Sequence, residues 1–124
     1  MKFKLTTEYL YWWPVTITLP DEDRPGKWIK QSFTMQFATM TDDRSRALTA
    51  EIEALPTEEE RNARKHAALL EVARDWRDVT DEHGQPVEFS PELLSQALGV
   101  VWYRSGIYQA WARSLAGEDA RRGN

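Results

Sequence analysis

The chain contains no cysteine among its 124 residues, so it has neither a disulfide framework nor a thiolate metal site, and nothing marks an oxidising compartment. A reducing cytoplasm is the expected location. No run approaches the 18 or more consecutive apolar residues of a membrane span. Near the N-terminus Thr6, Thr7 and Glu8 interrupt the apolar run that a signal peptide would need, and residue 1 onward is read as mature protein. Neither G-x-G-x-x-G nor a P-loop can be written on the sequence, which argues against nucleotide binding. Only two histidines are present, His66 and His83, and they do not form H-x-x-x-H or H-E-x-x-H, so no metal or other cofactor is expected. Excess positive charge is also missing. A net charge of −4 disfavours electrostatic capture of nucleic acid or of an anionic membrane, and Lys27-Trp28-Ile29-Lys30 is the nearest approach to a basic aromatic stripe.

What remains is a chain of one-domain size, 41% apolar and 29% charged, well inside the globular range. Residues 1–40 read as strand. Trp13, Val15, Ile17 and Leu19 alternate with Pro14, Thr16 and Thr18, and Ile29, Phe33, Met35 and Phe37 alternate with Lys30, Ser32, Thr34 and Gln36. Between them Pro20-Asp21-Glu22-Asp23-Arg24-Pro25-Gly26 has the ingredients of an exposed hairpin loop, so the two strands pair antiparallel. Pro14 belongs on an edge strand or at a strand start. Weak alternation around Phe3 and Leu5 allows a third short strand there.

From Thr41 the period becomes helical. Thr41 or Asp42 caps a helix with Leu48, Ile52 and Leu55 on one face, ended by Pro56. Thr57 and Glu60 form a capping box ahead of a long helix striped by Ala63, Leu69, Leu70, Ala73 and Trp76. Asp81-Glu82-His83-Gly84 is a turn in which Gly84 supplies positive φ. Ser90 and Pro91 open a third helix, with Leu93, Leu94, Ala97 and Leu98 on its buried side and Gly99 at its end. The last helix spans roughly Val101 to Leu115, striped by Tyr103, Ile107, Trp111 and Leu115. The reading is therefore a single α+β domain: a β-hairpin or small sheet over 1–40, a region of about four helices over 41–117, and a polar tail over 118–124.

The acid runs Asp21-Glu22-Asp23 and Glu58-Glu59-Glu60 are explained by a wet loop and a helix N-terminus rather than by paired catalytic carboxylates. Asp81-x-His83-Gly84 lacks the ligands of a calcium loop. The six tryptophans are the unusual feature. Adjacent Trp12 and Trp13 point to opposite faces of a strand, and Trp102 lies off the Tyr103, Ile107 and Trp111 stripe. Core is the commoner fate of each indole singly. Together, Trp12 or Trp13 and Trp102 or Trp111 are candidate partner-binding anchors on a second buried surface. Trp76, Val87 and Phe89, with Gly84 in the turn and Ser90 at the cap, are expected to pin an elbow between two helices.

The stretch from Trp76 to Leu94, Trp-Arg-Asp-Val-Thr-Asp-Glu-His-Gly-Gln-Pro-Val-Glu-Phe-Ser-Pro-Glu-Leu-Leu, resembles tail assembly chaperones of long-tailed phages and prophages. In those proteins a helix ends in tryptophan, a valine and an acidic-glycine turn follow, and a proline-valine-phenylalanine segment leads into a serine-capped helix. Ile107 to Trp111, the Leu115 to Gly117 end and the short tail to Asn124 are similar too, so the likeness covers the C-terminal half. The hairpin with Trp12 and Trp13 carries no match. The resemblance implies a non-enzymatic protein that holds the tape-measure protein in the bacterial host cytoplasm until tail-tube subunits polymerise around it. Members of that family commonly come in short and frameshift-extended forms that share an N-terminal region. Outside that family, the residues fit a small homo-oligomeric protein-binding module or an accessory subunit of another system. A small enzyme ranks third, and would require a deep polar pocket with His66 or His83 converging on it.

Overall fold

A computed structural model describes residues 1–122, with side chains through Ala116. Strands β1 (Leu10–Pro20) and β2 (Trp28–Ala38) pair antiparallel from Leu10↔Ala38 to Pro20↔Trp28, as the two period-two runs require. The loop between them is held by the Asp21 carboxylate, which accepts the N–H of Asp23 at 2.9 Å and the Arg24 guanidinium at 2.6 Å. Both contacts hold that carboxyl below its usual pKa. Gly26 takes φ 78° there, a conformation open to glycine without a Cβ penalty.

Helices α1 (Asp42–Ala54) and α2 (Glu58–Val72) follow. Thr41 caps α1, and Thr57 accepts from the N–H of Glu60 at 3.1 Å while its hydroxyl donates to the Glu60 carboxylate at 3.0 Å. The third strand is not at Phe3 and Leu5, which are 87% and 85% exposed and lie outside the sheet. It is β3 (Ala73–Arg77), so α2 stops at Val72 instead of continuing through Ala73 and Trp76. No glycine or proline marks the change. Pairing of Trp76 with Met35 on β2, and burial of its ring against Phe33 and Phe89, outweigh the local helical pattern. The register slips at Gln36/Phe37, and the order is β1-β2-β3 with Pro14 in an edge strand.

Asp78 then adopts φ 62°, and a turn closed by the Asp81 carboxylate carries Gly84 at φ 76°. Ser90 caps the short helix α3 (Pro91–Ala97), accepting from Leu93 N–H at 3.1 Å. Helix α4 spans Val101–Arg122, longer than the sequence stripe indicated; the polar tail expected over 118–124 lies outside the residues whose side chains are described. The class is α+β with four helices among the described residues, as expected, and the region read as about four helices over 41–117 also contains β3.

One face of the sheet holds the core. Val15, Ile17, Met35 and Phe37 are buried with Leu69 of α2, Leu94 of α3, Leu98 just past its end, and Ile107 and Trp111 of α4. Leu115, placed by periodicity on the same stripe, is 42% exposed. Helix α4 runs antiparallel to β1: Gly106 lies against Thr16 and Ile17, and Ser114 Oγ meets Tyr11 Oη at 2.8 Å.

Candidate functional site

Strand geometry separates the adjacent indoles. Trp13 shares the core face with Val15 and packs against the buried cluster, whereas Trp12 lies on the opposite face with Thr16, Thr18, Lys30 and Ser32. There the Arg77 guanidinium stacks 3.6 Å from the Trp12 ring centroid, reaching from β3 across β2. The middle of this open face is polar, with Thr16 Oγ1 and Ser32 Oγ 3.5 Å apart, and its remaining large apolar groups, Leu10 and Trp28, stand at opposite ends. It is uncovered, but it is not a continuous apolar patch.

Helix α4 makes a parallel division. Trp111 is buried and its Nε1 has no hydrogen-bond partner among the described residues, while Trp102 is 41% exposed beside exposed Val101. Of the four candidate anchors, Trp12 and Trp102 therefore face outward and Trp13 and Trp111 belong to the core. The structure brings no two of the four into direct ring contact.

The elbow residues do meet, though they join a strand to a helix and not two helices. Trp76 Nε1 donates to Val87 O at 2.8 Å, and its ring stands edge-on to Phe89 with centroids 5.1 Å apart. Val87 N–H in turn donates to Val79 O at 2.9 Å, so the Gly84 turn closes a small loop that delivers Phe89 and the Ser90 cap. The indole donor is satisfied and the ring is half-buried.

A concavity of about 670 Å³ lies between α2 and the start of α4 and is lined by Asn62, Lys65, His66, Leu98, Arg104 and Tyr108 among others. His66 Nε2 and Ser95 Oγ are 2.9 Å apart at its edge, a contact invisible in the sequence because 29 residues separate the partners. Among the described residues neither a carboxylate nor a backbone carbonyl takes up the other ring nitrogen, so there the pair has no orienting group of a nucleophile–base constellation and acts as a tie between α2 and α3. Arg104 is likewise engaged, donating to Leu98 O at 3.0 Å at the end of α3. Burial raises the Tyr108 phenol pKa, with Arg104 partly offsetting the rise. His83 is an exposed turn residue 3.5 Å from Glu82. Among the described residues no group of three His, Cys, Asp or Glu side chains could hold a metal ion, and no helix is long and apolar enough to cross a membrane.

Comparison with family models, with curated proteins and with solved structures finds no match to the chain.

Proposed function

We propose that this chain is a non-enzymatic, cytoplasmic holding protein of the kind found among phage and prophage tail assembly chaperones, with a tape-measure protein as its client. The observation that carries this reading is the segment from Trp76 to Leu94. The residues that resemble the family form one physical unit: the Trp76 indole on Val87 O and Phe89, the Asp81–Gly84 turn, and the Ser90–Pro91 helix start. Further support comes from apolar side chains left in solvent, Trp102 and Val101 on α4 and Leu93 on α3, which suit contact with an apolar helix. A long apolar ruler aggregates before assembly unless its surface is transiently covered, and aromatic anchors give such cover affinity without a deep pocket.

The test is genomic and biochemical together. A tail-tube gene upstream and a very long gene downstream are expected, and the product of the long gene should be retained by the tagged full-length chain on co-expression. A chain that purifies as a stable oligomer, leaving that co-expressed product unbound, would contradict the proposal.

A further inference from the structure

We propose that the N-terminal arm, residues 2–6, of one copy of this chain docks along the outer edge of β3 in a second copy. This does not rest on the client-holding reading. Lys2-Phe3-Lys4-Leu5-Thr6 has a strand's period of two, cations on one side and apolar groups on the other, yet it pairs with nothing in its own chain. Phe3 and Leu5 stand almost wholly in solvent. The arm's base, by contrast, is fixed. Thr6 Oγ1 donates to Glu8 O at 3.2 Å across a bend, and the Glu8 carboxylate takes the Arg74 guanidinium at 2.9 Å. The bend and the ion pair hold the root against β3 while the arm's side chains stay clear of their own sheet.

Strand β3 offers the complementary surface. It ends the sheet on the side away from β1 and has no strand beyond it. The N–H of Trp76 is bound at 2.8 Å by the neighbouring Asp75 carboxylate and not by another strand, as at an open edge. Beside this edge runs a groove of about 480 Å³, bounded on its far side by Val87, Glu88 and Phe89. Trp76 and Phe89 provide aromatic surface for Phe3 and Leu5. Asp75, Asp78 and Glu88 outnumber Arg77 in the groove, a charge balance suited to Lys2 and Lys4. Lengths also agree, since five extended residues span roughly 17 Å and β3 is itself five residues long. Strand addition of this kind takes affinity from the backbone and selectivity from alternate side chains.

Because the chain has no cysteine, crosslinking reads the contact directly. Full-length Lys4→Cys protein mixed with full-length Glu88→Cys protein under mild oxidation should give a covalent heterodimer, and adding Lys2→Glu to the first should suppress it. In sedimentation, Phe3→Ser with Leu5→Ser should weaken self-association by roughly tenfold or more. The melting temperature should scarcely move, because the arm's apolar groups stand almost wholly in solvent. A protein that sediments as a monomer at every concentration would overturn the proposal. So would a Lys4→Cys/Glu88→Cys double variant that closes its disulfide within one chain faster than between chains.

Discussion

Gly106→Ala tests the packing of α4 on the sheet at its tightest point. A Cβ there would lie 2.6 Å from Thr16 O, 2.6 Å from Ile17 Cδ1 and 3.4 Å from Ile17 Cα. Contacts between carbon atoms are most favourable at about 3.5–4.0 Å, so α4 must retreat by roughly 1 Å or β1 must bend. The Ile17 methyl can rotate aside, although the residue is only 4% exposed; the Thr16 carbonyl belongs to the strand and cannot. Retreat loosens Ile107, Ala110 and Trp111 together, and such overpacking typically costs about 1–3 kcal/mol. Alanine's better helix propensity returns up to about 1 kcal/mol, leaving a net loss of roughly 0–2 kcal/mol. For a chain of this size that lowers Tm by up to roughly 10 °C. Urea unfolding followed by tryptophan fluorescence gives the free energy and thermal circular dichroism gives Tm. A Gly106→Ala protein clearly more stable than the parent would refute the close approach, because propensity alone would then decide the outcome.

Trp76→Ala should lose about 2–4 kcal/mol in urea unfolding, and Trp76→Phe less, since it gives up the bond to Val87 O but keeps the ring between Phe33 and Phe89; unchanged stability in both would mean the elbow is not packed. Trp13→Ala and Trp111→Ala should each cost about 3–5 kcal/mol, whereas Trp12→Ala and Trp102→Ala should cost under about 1.5 kcal/mol, and equal losses in all four would contradict the assignment of faces. Trp111→Phe should be far milder than Trp111→Ala, because it removes a buried N–H that has no partner among the described residues. Burial raises the pKa of Tyr11 and of Tyr108, against the smaller opposing effects of the Ser114 hydroxyl and Arg104 respectively. Folding then favours the neutral phenols, so their contribution to stability is complete below about pH 10 and is lost as pH rises through the folded-state values. Tyrosinate absorbance should show a late-ionising fraction, and its absence would refute the burial of these two phenols.

The features legible in the sequence are those whose cause is local. Alternation with one apolar face gave β1, β2 and their pairing, while Thr41, Thr57 and Ser90–Pro91 marked three helix starts because a cap must sit next to what it caps. Gly84 announced its positive φ in the same way. Strand β3 was hidden because Leu69, Leu70, Ala73 and Trp76 keep helical spacing and no breaker precedes Ala73; only pairing with β2 changes the conformation there. Gly106 carried no mark either, a lone glycine in an apolar helix whose reason for being small is a strand some ninety residues earlier. For Trp12 and Trp13 the sequence established that the two must diverge. Which one enters the core depends on which face of the sheet the helices cover, and that is decided by α2, α3 and α4 together. The His66–Ser95 and Tyr11–Ser114 contacts join elements distant in sequence and leave no local trace.

The central claim, that the chain holds a long apolar client through outward-facing indoles, is tested most directly by light scattering. The proposed client, the product of the long gene expected downstream, is diluted from denaturant into buffer with increasing amounts of the full-length chain. The account predicts that scattering falls with the amount of chain added, and that Trp102→Ala, while retaining the parent's melting temperature, suppresses it far less. Scattering that is the same with and without the chain would contradict the claim.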